Sequence, residues 1–406
     1  MDDVPEEQAE QRQRARKAED KAAFRSAVGL ITGDLLIAME AKEHRWSYHG
    51  LSPAAFDDRP VGYKTFKPIV ETMEAVGLIN ISKGRNAQVP QFDEGAAPSY
   101  HPSLASRFRP TQVMVSMADQ AAVHHGSARK HFPQQLPNNV IEVRGKSTTV
   151  RGMKTKGKKL KFAHTGKSRA MEAHIKSLNK FLAGFELEGG GFSGYRRLFS
   201  NGDIDGFDFQ WGGRLYGVGD YSYQTIKKTE RQKMTIGGEE VVEIDINASY
   251  LTIMHGLKQQ PLPNREDIYA IDNLPREVVK KWFAISFGVK KFHRQWLKGN
   301  VKDLKDNCPD YRTWMTAKVV EKAVQEYFPF MADWSSGDIG WSNLMFIESE
   351  IIIGTMLQLM NDHNIPSLPV HDCIIVRESD QDLAMRILSE QFHKQTGLVP
   401  KLKVSS

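Results

Sequence analysis

The chain of 406 residues holds only two cysteines, Cys308 and Cys373. Two thiols are too few for a disulfide framework or a cysteine-based zinc site, and their scarcity suits a cytoplasmic protein. No uninterrupted apolar run approaches the roughly 18–20 residues that span a bilayer, so no membrane association is expected. The opening stretch, MDDVPEEQAEQRQRARKAED, is charged throughout and lacks the apolar centre of a signal peptide. Neither charge sign dominates: 55 Lys and Arg stand against 49 Asp and Glu, a net charge of +6. With 40% hydrophobic and 26% charged residues, wholesale disorder, collagen-like repeats and a membrane bundle are excluded, and the length suggests two or three domains.

The small basic excess is concentrated. Residues 143–169, VRGKSTTVRGMKTKGKKLKFAHTGKSR, carry ten Lys or Arg and no acid, Lys154, Lys156, Lys158, Lys159 and Lys161 among them. Self-repulsion and the Gly, Ser and Thr content predict a basic linker or hairpin, either a solvated connection or a segment that tracks a phosphate backbone. It also marks a boundary. Before it, residues 1–22 read as a charged tail or helix and residues 23–95 as a small winged helix-turn-helix-like module. Within that module the spacing predicts a helix over Phe24 to Ala41, a short helix opened by Ser52-Pro53, and an amphipathic helix from Tyr63 to Val76 ended by Gly77, with Pro68 shifting its start. A hairpin follows, with strands at Leu78 to Ser82 and Ala87 to Phe92 and a basic turn at Lys83 to Asn86. Such a module either lays its second helix on DNA or serves only as a packing unit. Residues 96–142 read as a helical, thumb-like region.

From residue 170 onward, helical and strand patterns alternate. Met171 to Phe185 is an amphipathic helix. Thr235-Ile-Gly-Gly-Glu-Glu-Val-Val reads as a hairpin leading into a buried strand, Val241 to Ile246, that ends at Asp245, with a helix behind it. Pro369-Val-His-Asp-Cys-Ile-Ile-Val is a second apolar strand pair, broken by His371-Asp372 and preceded by a long helix bearing Glu348 and Glu350. A carboxylate in an apolar strand is costly to bury unless it meets a cation. Two strands that each present one Asp are what two-metal phosphoryl transfer requires, although each Asp alone is equally an ordinary cap or salt-bridge partner.

This pair of segments resembles motifs A and C of the family A DNA polymerases and of the phage-type single-subunit RNA polymerases. Phe209-Gln-Trp-Gly-Gly-Arg-Leu-Tyr216 looks like the Gly-Arg element ahead of motif A, and Arg276-Glu-Val-Val-Lys280 like the Arg-x-x-x-Lys start of the fingers helix. The order of parts, including Arg197 to Phe199, is most similar to the compact family A polymerases of bacterial plasmids, phages and other mobile elements, some with priming activity. The resemblance implies an α+β fold with a minimal right-hand palm and fingers over residues 170–406. It implies Asp245 and Asp372 as catalytic metal ligands, with the Ile246 carbonyl completing the shell around two Mg²⁺ ions, for which Mn²⁺ can substitute. It places Arg214, His371 and Arg197 at the primer-template and Arg276 and Lys280 on the incoming triphosphate. Phe287 lies one residue short of the usual aromatic-Gly spacing, which leaves Lys281 as a rival to Lys280. Tyr250, five residues after Asp245, falls where a bulky side chain excludes a ribose 2′-OH.

The implied activity is exonuclease-free, template-directed DNA synthesis from dNTPs on primer-template DNA, with a small accessory protein or helicase of a mobile element as a further partner. Cys373 stands where the DNA polymerases carry Glu, and the 127 positions between Asp245 and Asp372 leave room only for reduced fingers. A single-subunit RNA polymerase or primase-polymerase, and a non-catalytic winged-helix initiator, remain the alternatives.

Overall fold

The computed structural model describes residues 18–41, 46–49, 51, 56, 61–85, 105–132, 136–150, 153–219, 222–289, 292–332, 334 and 339–405. The chain is mixed α+β and separates into two compact units: the described residues up to Asn139 together with Val218–Ser222, and Val140–Gly217 with Tyr223–Ser406.

The N-terminal unit runs α1 (Ala18–Ala41), β1 (Ser47–His49), α2 (Tyr63–Ala75), β2 (Ile79–Ser82), β3 (Ser106–Pro110), α3 (Gln112–Gln120) and α4 (Ala128–His131). Its antiparallel sheet has the order β1-β3-β2, with Ile81 opposite Phe108. Ile31 and Leu35 of α1 and Phe66, Ile69, Val70 and Met73 of α2 close over Ile79 and Phe108 to form the core. Pro68 does not delay α2, which starts at Tyr63 and carries the proline inside it. The missing N–H removes one helical bond, but four inward-facing apolar residues hold the turn. The Leu78 N–H reaches back to the Met73 carbonyl at 2.8 Å and stops the helix at Gly77, whose φ is +72°.

The expected helix at Ser52-Pro53 and the return strand Ala87 to Phe92 lie outside the described residues. The strand that pairs with β2 comes instead from Ser106–Pro110, so the segment 96–142, expected to be helical, supplies a strand before its helices. Ser106, Phe108 and Pro110 alternate inward with period two, and that alternation overrides the flanking helical pattern.

The C-terminal unit holds two main sheets. In the first, β4 (Ile141–Arg144) lies between β7 (Lys159–Leu160) and β9 (Tyr195–Phe199), and β10 (Gly212–Gly217) completes the edge. The basic stretch is thus no free linker. It folds as a small hairpin, β5 (Thr148–Val150) with β6 (Met153–Thr155), and returns through β7 to pair Leu160 with Val143. Helix α5 spans Gly166–Leu182 and starts earlier than the apolar pattern shows. Thr165 and Ser168 form a reciprocal capping box there, with bonds of 2.8 and 3.1 Å.

The second sheet is built on β12 (Glu239–Ile246), which pairs directly with β14 (Cys373–Arg377), β11 (Thr235–Ile236) and β15 (Leu402–Ser405), with β13 (Leu368–Val370) beyond β14 and β8 (Leu187–Glu188) beyond β11. Short helices α6 (Lys228–Arg231) and α7 (Ser249–Leu257) bracket β12 in sequence. Helices α8 (Arg276–Ser286), α9 (Lys298–Asn307) and α10 (Ala317–Tyr327) follow, then α11 (Trp341–His363) and, after β14, α12 (Gln381–Thr396). Helix α11 is long and apolar enough, by length and composition alone, to cross a membrane, which the search for unbroken apolar runs does not anticipate. More than half of that stretch is buried inside this unit, against β10, α7 and α12, and it carries Glu348 and Glu350.

Candidate active site

The site forms where β12 and the β13–β14 hairpin end side by side. Gly237 and Gly238, at φ of +60° and +83°, make the two-residue turn that sends β11 back as β12. That turn sets Thr235 opposite Glu240, and β12 pairs separately with β14, where Asp245 faces Cys373 and Glu243 faces Ile375. The ladder continues one step further, with the Ile246 N–H donating to the Asp372 carbonyl at 3.2 Å. Residues 127 positions apart in sequence are therefore neighbours at one sheet end. Two non-glycine residues there hold left-handed backbone, Ala248 at φ +50° and His371 at +56°. Each costs about 1 kcal/mol, and each turns the chain sharply beside one of the two aspartates.

Burial and the negative charge of Asp245 push the Asp372 carboxyl above its ordinary value. Glu243, two residues before Asp245 on the same face of β12, is 1% exposed and bound by Arg231 at 2.8 Å. Lys228 of α6 lies 3.2 Å from Glu243 and 3.3 Å from Asp245. Among the described residues, no group of three or more His, Cys, Asp or Glu side chains converges as a metal cage. Any Mg²⁺ held here would rest on Asp245 and Asp372, with water and substrate phosphate completing its shell. Ile246, expected to lend its carbonyl, sits at the end of β12 with its side chain buried. Cys373 is buried, and burial together with the charges of Asp245 and Glu243 pushes its thiol up.

Behind the aspartates, β10 presents Arg214 through a bulge at Gly212–Arg214. Gly213 lies so close to α11 that a Cβ would meet the Ser349 hydroxyl at 3.0 Å, and its φ is +86°. Arg214 donates to Glu348 from Nε at 2.8 Å and to the Tyr250 hydroxyl from Nη2 at 3.2 Å, and its Nη1 is 3.4 Å from His371 Nδ1. The site thus brings together Arg214, Tyr250 and His371, three of the expected residues. Glu348 is 1% exposed, and burial pushes its carboxyl up to about 7 despite Arg214. Partial burial and the Arg214 charge hold the His371 imidazole below the ordinary histidine value.

Arg197, expected at the primer-template, is 2% exposed. Its guanidinium is paired with Glu350, bonded to the Gly213 carbonyl at 2.8 Å, and packed against Phe199 and Phe346. It braces β9 against α11 and offers no donor to an outside phosphate, because the apolar rings around it exclude a nucleic acid strand. On α8, Arg276 is exposed and binds Asp267 at 2.6 Å, and Lys280 lies one turn further on, also exposed. Lys281, the rival, is paired with Asp303 of α9. Phe287 is 5% exposed. Its ring sits among Phe283, Trp334 and the edge of Tyr250, at 5.6, 5.1 and 5.9 Å, rather than presenting an open stacking face. Lys156, Lys158, Lys159 and Lys161 are exposed on the basic hairpin and its return; Lys154 lies on β6, its side chain outside the described set.

Three residues escape sequence reading. Glu243 shares the period-two face of Asp245 and was legible in principle. Lys228 carried no pattern. Tyr269, whose hydroxyl is pushed up to about 12 by burial and the charge of Asp372, lies under the Arg276 guanidinium at 5.7 Å.

No family model matches the chain, and no curated protein sequence matches it. Among solved structures, it is similar to the POL domain of Pol1 from M. smegmatis in complex with DNA primer-template and dNTP, at 18% sequence identity and a TM-score of 0.33. The match covers 48% of this chain and 45% of that one, so the chain spans less than half the length of that polymerase domain.

Proposed function

We propose that the C-terminal unit is the palm and reduced fingers of a family A-type DNA polymerase that extends a primer with dNTPs. The observation that carries this reading is the register of β12 and β14, which sets Asp245 beside Asp372 at the end of two central strands. The two carboxylates would hold Mg²⁺, or Mn²⁺ in its place. Such ions activate the attacking primer hydroxyl and neutralise the departing pyrophosphate.

The remaining roles belong to the chain itself. Arg276 and Lys280, four residues apart on an exposed helix face, grip the triphosphate. Tyr250 fills the space that a 2′-OH would need. His371 and the outward nitrogen of Arg214 meet the primer end, and the exposed lysines of the basic hairpin follow the nucleic acid backbone.

The N-terminal unit is proposed as a winged-helix DNA-binding module. Lys64 and Lys67 are exposed on α2 opposite its buried stripe, and Lys83 and Arg85 follow β2. A helicase or small accessory protein of a mobile element, in a cytoplasmic setting, completes the proposal. Primer extension with dNTPs or NTPs, with and without a primer, tests the reading and separates it from an RNA polymerase or primase. Sequence-specific DNA binding without any metal-dependent synthesis would replace it with the initiator reading.

A further inference from the structure

Glu348 is a buried acid whose oxygens are both engaged inside the unit. Oε1 accepts from Arg214 Nε at 2.8 Å and from Nη2 at 2.5 Å, and Oε2 accepts from the Ser249 hydroxyl at 2.9 Å. Ser249 is the chain neighbour of Tyr250, and Arg214 Nη2 also donates to the Tyr250 hydroxyl at 3.2 Å. The bonds form a closed loop: Ser249 to Glu348, Glu348 to Arg214, Arg214 to Tyr250, and back through one peptide bond. The guanidinium carbon lies 5.9 Å from the Tyr250 ring centre, and Phe287 meets the ring edge-on at 5.9 Å.

A buried ion pair is weak support for stability, since a well-packed apolar pair does as well. This one needs another reason to exist, and its geometry supplies one. A tyrosine excludes a 2′-OH only while its ring stays in place, and on a helix surface two side-chain torsions allow it to swing aside. Arg214 is itself a long side chain with little intrinsic preference for one position. The two-pronged bond to Glu348 fixes the guanidinium, and the Ser249 bond fixes Glu348 relative to the same helix that carries Tyr250.

We propose that Glu348 is a positioning residue for sugar selection, locking Arg214 so that it clasps the Tyr250 hydroxyl and holds the ring across the 2′ position of the incoming nucleotide. This rests on the polymerase reading and deepens it: the substrate is a 2′-deoxynucleoside triphosphate because the excluding ring is tethered as well as bulky.

The test is a double-mutant cycle on the ratio of kcat/KM for dNTP to that for NTP in primer extension by the full chain. Tyr250→Phe keeps the ring and removes only the tethered hydroxyl; Glu348→Gln keeps the shape and removes the charge that fixes Arg214. Each lowers discrimination about tenfold, the scale of one hydrogen bond to a charged group, chiefly through a lower KM for NTP. The double variant discriminates no worse than Tyr250→Phe alone, because both changes cut one chain of contacts. Should Glu348→Gln fail to fold, Ser249→Ala removes a single bond of the loop and shows a smaller loss of the same sign. Unchanged discrimination in Glu348→Gln, or losses that multiply in the double variant, overturn the inference. A wild-type protein that adds no nucleotide at all overturns the polymerase reading instead, a result distinct from an active enzyme indifferent to Glu348.

Discussion

Ile246 donates its backbone N–H to the carbonyl of Asp372 at 3.2 Å, one ladder step beyond the pairing of Asp245 with Cys373. That single bond carries the pairing of β12 and β14 one rung further and brings the backbone of Asp372 against the residue that follows Asp245. Replacing Asp245 or Asp372 with Asn is expected to abolish primer extension while leaving duplex binding within about twofold, since phosphate contacts dominate affinity. Asp372→Asn also removes a charge that burial and Asp245 disfavour, so it melts no earlier than wild type. Extension that persists in both variants would sink the site assignment.

The two aspartate-bearing strands were legible from local signals, an apolar run, a Gly-Gly turn and a His-Asp break between strands, while their pairing was implied by the family resemblance and not by spacing. The spacing of four puts Arg276 and Lys280 on one helix face, and their role on a triphosphate likewise came only with the resemblance. What the sequence left hidden were pairings over long separations. Arg197 and Arg214 look alike as basic residues in short strands, yet Glu350 and Phe346 enclose the first while the second keeps Nη1 turned toward His371. Nothing local distinguishes them, since the acids that claim each one lie on α11, 153 and 134 positions away. The third strand of the N-terminal sheet was hidden for a related reason: β3 finds β2 across 23 intervening residues, too far for a local hairpin signal to announce.

The basic hairpin is expected to act through charge alone. Changing Lys156, Lys158, Lys159 and Lys161 to Gln removes up to four phosphate contacts, each worth about 0.9 in the slope of log affinity against log salt. Fluorescence anisotropy of labelled primer-template between 50 and 200 mM salt, roughly the range over which such contacts are lost, reads this directly. An unchanged slope would show that the hairpin stays in solvent. Sugar discrimination is not expected to move, because these lysines lie on and beside β7, in the sheet of β4, whereas Tyr250 lies on α7 next to β12.

Lys228 is expected to oppose cation binding at the aspartates. Its ammonium, 3.3 Å from Asp245 and 3.2 Å from Glu243, neutralises part of the charge that draws a divalent ion. At half exposure such a pair is worth about 0.5–1 kcal/mol. Lys228→Ala should therefore bind Mn²⁺ about two- to fivefold more tightly, read by electron paramagnetic resonance on the protein without nucleic acid. Weaker binding in the variant would instead make Lys228 part of the architecture that holds Asp245 in place.

His255 sets an expectation for stability against pH. It lies on α7, 4% exposed, with its ring edge-on to Phe328 and Phe330 at 5.6 and 4.9 Å. Burial lowers its pKa from the ordinary 6.5. Below pH 6.5 the unfolded chain takes up a proton there that the folded chain refuses, so stability is lost as pH falls through that window. Glu348 works in the opposite sense: raised from 4.5 to about 7, it binds more protons folded than unfolded, and between those values its contribution improves as pH falls. Total stability thus mixes two opposed slopes, and only a difference isolates one of them. His255→Phe keeps an aromatic ring in the same cluster and removes the titration. The gap in Tm between this variant and wild type should widen in the variant's favour from pH 7.5 to 5.5, by the direction of the shift. A gap that stays constant with pH would show that the imidazole is protonated where it stands.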